Sequence, residues 1–181
     1  MIVEPVFAKD VFLIKPKVYS DKRGFFYEFF NARVFEEQTG LQANFIQDNL
    51  AQSQQWVLRG FHFQKGAFAQ AKLVSVLKGA VLDVIVDLRQ SAPTYGQYFS
   101  VELNEYNKYQ LFIPRGFAHA YLSLMPDTLF YYKVDNKYHQ PAESGIRFDD
   151  PDLNVDWGVS ADKFLLSPKD LQLPFFKDIL L

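Results

Sequence analysis

The sequence predicts an all-β fold, a sandwich or barrel of the jelly-roll type, and three observations lead there. Aromatic side chains make up 17% of the chain, with 19 Phe and 10 Tyr, and such side chains pack well on a pleated, half-buried surface. Apolar runs are short and recur at roughly 8–12-residue spacing with turn residues between them. No stretch alternates strand and helix patterns as parallel βαβ units do, and no internal repeat is present.

Taken in order, segment 11–14 reads as a strand closed by Pro16, and 24–30 (Gly-Phe-Phe-Tyr-Glu-Phe-Phe) as a second. Segment 31–38 carries helix signals, with Asn31 placed to cap its start and Gly40 to end it. Strand patterns return at 45–50, 57–64 and 72–77. Segment 80–88 is the clearest: Leu82, Val84, Val86 and Leu88 share one face, while Asp83 and Asp87 lie on the other with Val81 and Ile85. Further strands are expected at 98–103, 109–113, 119–124 and 129–134, separated by turns such as Lys78-Gly79, Pro93-Thr94 and Pro114-Arg115-Gly116. From Asp149 onward the pattern is less regular, and a short C-terminal helical appendage is expected. Residues 1–181 read as a single domain, long enough to bury a core without staples.

Composition excludes several function classes. The formal net charge of −2 provides no basic stripe for nucleic acid. There is no cysteine, so disulfides and thiolate metal sites are ruled out. The opening Met-Ile-Val-Glu-Pro lacks the features of a signal peptide, and no run reaches the ~18 apolar residues of a membrane span. A cytoplasmic domain without nucleic-acid or membrane partners is the expectation.

The chain has three histidines, His62, His119 and His139. Residue 64 is Gln and residue 121 is Tyr, so no histidine pair stands at ligand spacing, and a three-ligand metal site is not expected. The run Val57-Leu58-Arg59-Gly60-Phe61-His62-Phe63-Gln64 sets polar residues in an apolar strand. A half-exposed strand explains it equally well. Strict alternation puts Arg59 and His62 on opposite faces, so both reach one cavity only if Gly60 marks a bulge. Lys72 shares a strand face with Val74 and Val76, where an interior ammonium is costly unless paired or employed; a place at the exposed strand end is the alternative. Tyr131 and Tyr132 point to opposite faces, so one phenol should enter the barrel, though tyrosine is often only a packing residue.

Together these segments resemble one family over about residues 5–174. The blocks are Asp21-Lys22-Arg23-Gly24-Phe25-Phe26-Tyr27-Glu28, Phe45-Ile46-Gln47-Asp48-Asn49, the 57–64 run, Lys72-Leu73-Val74 and Gly79-Ala80-Val81-Leu82-Asp83-Val84. Then come Ile113-Pro114-Arg115-Gly116-Phe117-Ala118-His119, Tyr132-Lys133 with Tyr138, and Leu166-Ser167-Pro168-Lys169-Asp170. In this order they resemble the dTDP-4-dehydrorhamnose 3,5-epimerases, the RmlC family.

The resemblance implies a cupin-like jelly roll and a homodimer with exchanged N-terminal strands. It implies a dTDP-sugar substrate, dTDP-4-dehydro-6-deoxy-D-glucose, epimerised beside its ketone to dTDP-4-dehydro-L-rhamnose, with no cofactor and no metal. By the same resemblance His62 is the base, Asp170 its carboxylate partner, Tyr132 the proton donor and Lys72 the group on the enolate oxygen. Arg23, Glu28, Gln47, Asp48, Asn49, Arg59, His119, Tyr138, Glu143 and Lys169 stand at substrate-binding positions, with Tyr138 stacking on thymine and Arg23 and Glu28 reaching the partner subunit's site. The chain departs from the family pattern at Ala51, Trp56 and Ser75. A single-centre epimerase, a ketoisomerase and a non-catalytic sugar-nucleotide-binding barrel are the competing readings. The full set of His62, Lys72, Tyr132 and Asp170 weighs against the last two.

Overall fold

A computed structural model describes residues 1–180. Alternating apolar runs pair into two antiparallel sheets. The six-stranded sheet runs β1 (Ile2–Phe7), β2 (Val11–Lys15), β10 (Gln110–Ile113), β7 (Lys72–Lys78), β12 (Thr128–Val134) and β5 (Gln47–Ser53). The five-stranded sheet runs β13 (Glu143–Gly145), β6 (Leu58–Gln64), β11 (Phe117–Ser123), β8 (Ala80–Asp87) and β9 (Tyr98–Asn104). Strands distant in sequence lie side by side, giving the predicted jelly roll.

Apolar side chains fill three layers. Val74, Val76, Val81, Ile85, Leu111 and Phe130 pack between the two sheets. Phe12, Ile14, Leu73 and Phe112, on the outer face of the six-stranded sheet, are covered by Phe35 from the helix α1 (Ala32–Thr39). The outer face of the five-stranded sheet is covered by the C-terminal segment through Ile146, Phe148, Leu153 and Trp157. The helix starts and stops where its cap residues predict: Asn31 Oδ1 accepts from the Val34 amide at 3.2 Å, and Gly40 takes the left-handed φ of 72°.

The structure corrects the sequence reading at three places. Segment 24–30 is not one strand: β4 (Gly24–Tyr27) pairs only with β3 (Val18–Asp21), making a separate hairpin. Its Tyr19, Phe25 and Phe26 are exposed, Phe26 by 71%. The edge strand β1, unforeseen because Pro5 interrupts it, pairs with β2; an edge tolerates the missing donor. The expected C-terminal helical appendage is reduced to single 3₁₀ turns at Ala161–Lys163, Asp170–Gln172 and Phe176–Asp178. No helix among the described residues is long and apolar enough to cross a membrane.

Candidate active site

One cavity of about 580 Å³ opens between the sheets near β6, β7 and β12. Its chemistry-bearing side chains come from facing walls. Residues directly opposite in an antiparallel pair project to the same side, so register assigns the faces. On the six-stranded sheet Val74 stands opposite both Leu111 and Tyr132; Lys72 lies two residues from Val74 and shares that inward face. On the five-stranded sheet His119 stands opposite His62, and Tyr121 opposite Arg59.

That last pairing resolves the conflict over Arg59 and His62. Three steps along β6 match only two along β11, so β6 carries an extra residue and both side chains line the cavity. Gly60 makes this possible. Its φ is 113°, and a Cβ there would lie 2.5 Å from the His119 carbonyl oxygen.

His62 Nε2 lies 2.6 Å from Asp170 Oδ1. A carboxylate only accepts, so the shared proton sits on Nε2 and the Nδ1 lone pair is free. Asp170 is 3% exposed. Burial acts to raise its pKa, but the hydrogen bond and charge of His62, aided by Ser167 and Lys169, outweigh burial and hold it below the ordinary value. The Asp170 amide donates to Ser167 Oγ at 3.1 Å, fixing the turn. His62 therefore faces a permanent anion.

On the other wall, burial drives the Lys72 ammonium down to about 8, against a smaller upward pull from Asp83. Tyr132 is pushed above its ordinary value, chiefly by burial, so the phenol keeps its proton at neutral pH. An imidazole with a free lone pair thus looks across the cavity at a protonated phenol and an ammonium.

Toward the mouth, Tyr138 donates to Glu143 Oε2 at 2.9 Å, and Lys169 pairs with Glu143 Oε1 at 2.6 Å. Tyr138 is half exposed, its ring free to stack on a planar ligand. The predicted residues His62, Lys72, Tyr132, Asp170, Arg59, His119, Tyr138, Glu143 and Lys169 all line this cavity. Five others do not. Arg23 sits on the β3–β4 hairpin, donating from Nε to Asp21 Oδ1 at 3.2 Å and from Nη2 to Oδ2 at 2.6 Å. Glu28 accepts from Asn31 at 3.0 Å. Asp48 is directed away from Tyr132 and pairs with Lys133 at 2.7 Å. Gln47 and Asn49 share the inward face with Tyr132 and bond each other at 2.8 Å.

Asp83 received no role from the sequence. It is fully buried, and its Oδ2 lies 2.9 Å from His119 Nε2 while Oδ1 has no hydrogen-bond partner. A second imidazole–carboxylate pair thus stands beside the first, and Asp83 is the main group favouring the charged form of Lys72. The signal was an acidic residue on the inward, apolar face of the clearest strand. Among the described residues no group of three His, Asp or Glu side chains stands where it could hold a metal ion.

The fold and the cavity define the class: a cupin-like jelly-roll enzyme with ionisable side chains on both walls of one cavity. Residues 6–178 match the family model described as dTDP-4-dehydrorhamnose 3,5-epimerase. A protein of that name from Shigella flexneri is 46% identical over 169 residues, covering 93% of this chain and 92% of the relative. The crystal structure of the Elizabethkingia anophelis dTDP-4-dehydrorhamnose 3,5-epimerase superposes with a TM-score of 0.94 at 47% identity, over 98% of this chain and 97% of that one. A Legionella pneumophila dTDP-6-deoxy-D-glucose-3,5-epimerase, crystallised with dTDP-4-keto-L-rhamnose, gives 0.93 at 42% identity, over 99% and 94%. This chain belongs to the dTDP-4-dehydrorhamnose 3,5-epimerase family.

Proposed function

We propose that this chain converts dTDP-4-dehydro-6-deoxy-D-glucose to dTDP-4-dehydro-L-rhamnose by inverting C3 and C5 in turn. The observation that carries the reading is the cavity itself: a carboxylate-backed imidazole on one wall and a neutral phenol with an ammonium on the other. The names of relatives more than 40% identical over nearly the whole chain support the same substrate.

C3 and C5 both flank the C4 ketone, so either proton can leave to give an enolate. His62 Nδ1 takes the proton, and Asp170 stabilises the resulting imidazolium; general base catalysis of this kind contributes about 10²–10⁴-fold. The C–H electron pair moves into the enolate, whose oxygen is stabilised by the Lys72 ammonium. Tyr132 then delivers a proton to the opposite face of the same carbon, its O–H breaking as the new C–H forms. One proton leaves and one returns, so the step balances without an oxidant or reductant.

Arg59, at the cavity mouth, suits the substrate's diphosphate because its fork matches phosphate oxygens. Tyr138 stacks on the thymine, with Glu143, Lys169 and His119 around the nucleotide and sugar. Gln47 and Asn49 share a sheet face with Tyr132 outside the cavity lining and extend that wall toward the rest of the substrate; Asp48 contributes by tethering Lys133 on the other face. The exposed apolar hairpin supports a homodimer with exchanged N-terminal strands, in which Arg23 and Glu28 complete the other subunit's site. The reaction belongs in the cytoplasm.

The test is turnover of the keto-sugar in D₂O. The wild-type protein should label product at both C3 and C5, whereas label at one carbon alone would identify a single-centre epimerase. His62→Ala should lose exchange at both carbons while remaining folded, because the side chain is only partly buried. Exchange persisting above a few per cent of the wild-type rate would reject the assigned base.

A further inference from the structure

Tyr121 and Ser53 are buried polar residues that the mechanism above leaves unused. Tyr121 lines the cavity, yet it is only 5% exposed, and its hydroxyl lies 3.1 Å from Ser53 Oγ. Ser53 is 3% exposed and also accepts from Arg59 Nε at 3.3 Å. A guanidinium can only donate, so the chain of bonds starts at Arg59.

The hydroxyl pair owns two protons and shares one bond, so one proton is left without an acceptor among the described residues. Ser53 is not on the cavity wall, and a spare proton there would be sealed in. With the serine proton directed to the Tyr121 oxygen, the spare proton belongs to the phenol and opens on the cavity. A phenol O–H that opens on the cavity is available to an acceptor that forms there, and a phenolate is such an acceptor.

The proton donor is close by. The Tyr121 ring stacks on Phe130 at 4.0 Å, and the Tyr132 ring lies 6.0 Å from that same ring. Beyond the dominant effect of burial, ionisation of Tyr132 is favoured by Arg59 and opposed by negative charge on Tyr121, a charge that the protonated Tyr121 phenol does not carry. Burial likewise keeps the Tyr121 phenol protonated, hence able to donate.

We infer that Tyr121, anchored by Ser53 and Arg59, is a positioning residue that donates a hydrogen bond to the Tyr132 oxygen as that phenol gives up its proton. This rests on the assignment of His62 as base and Tyr132 as donor. When Tyr132 protonates the enolate carbon, its O–H electron pair stays on oxygen as phenolate. The Tyr121 O–H stabilises that anion without itself transferring a proton. Its effect falls on delivery of the new proton and leaves abstraction by His62 alone.

Tyr121→Phe removes the hydroxyl and keeps the stack on Phe130. In D₂O two quantities separate the steps: deuterium entering recovered, uninverted substrate, and inverted product. The variant should form product about tenfold more slowly, the size of one hydrogen bond to a developing charge. Exchange into recovered substrate should stay within about twofold of wild type, so the inversion-to-exchange ratio falls about tenfold. Ser53→Ala, which loosens the anchor and spares the phenol, should lower the ratio about threefold, and it carries the test should Tyr121→Phe fail to fold. A ratio unchanged in the folded variant, or both rates falling together as a packing defect would make them, overturns the inference. Tyr132→Phe keeps the two claims apart: if it epimerises normally the donor assignment is wrong, whereas if it alone loses inversion only the role of Tyr121 fails.

Discussion

Replacing Lys72 with methionine keeps the length of the side chain and removes the ammonium. In water a lysine titrates near 10.5; here burial brings it to about 8. At 1.36 kcal/mol per pH unit, the folded protein bears about 3 kcal/mol to keep that charge below pH 8. The sign follows from proton binding. Between pH 8 and 10.5 the unfolded chain holds the lysine proton and the folded chain does not, so this group's contribution to stability rises with pH across that window. Below pH 8 both states are protonated and the full cost remains. Lys72→Met should therefore be more stable than wild type at pH 7, by about 3 kcal/mol, a figure already net of the attraction between the ammonium and Asp83. The advantage should shrink as pH rises from 8 toward 10.5. Urea denaturation of both proteins at several pH values measures the difference directly and cancels the titration of the other groups. Activity should move the opposite way. Loss of the charge on the enolate oxygen should lower kcat about 10²–10³-fold, and the wild-type fall in kcat/KM above pH 8 should be absent in the variant. A methionine variant less stable than wild type at pH 7, or wild-type activity flat through pH 8–9, would refute an interior ammonium employed in the reaction.

Asp170→Asn should cut kcat about 10³–10⁴-fold with KM little changed, since an amide can donate to Nε2 and strand the proton on Nδ1; steady-state kinetics decides it, and a loss under tenfold refutes the pairing. Gly60→Ala forces a Cβ 2.5 Å from the His119 oxygen at a φ of 113°, so it should cost about 3 kcal/mol and lower Tm by roughly 6–12 °C; calorimetry reads it. In the proposed dimer Arg23 and Glu28 complete the neighbouring cavity, so Phe26→Asp on the exposed hairpin should yield monomers in sedimentation and lower activity at the same time; a fully active monomer would refute that role. Tyr132→Phe should retain exchange at the first carbon and lose inversion, as followed by deuterium in recovered substrate.

How much of this was legible in the sequence can be judged residue by residue. The period of two in Leu82, Val84 and Val86 identified β8, and the Asn31 and Gly40 signals bracketed α1, because both depend on interactions within a few residues. The blocks around His62, Lys72, Tyr132 and Asp170 marked the cavity before its walls could be drawn. The hairpin and β1 escaped, since exposed Val18–Asp21 has no buried face to alternate and Pro5 breaks the pattern of an edge strand.

Tertiary structure decided three things. It fixed the bulge in β6, which turns Arg59 and His62 to one side although their spacing sets them on opposite faces. It brought Asp170, 108 residues away, to within 2.6 Å of His62, and set Asp83 behind His119. It also put the His62 imidazole and the Tyr132 phenol on opposite sheets, lining one cavity. Local sequence governs which residues form strands, because alternation and capping are short-range. Which side chains meet depends on register and bulges between strands far apart in the chain, and only the closed, packed sandwich determines those.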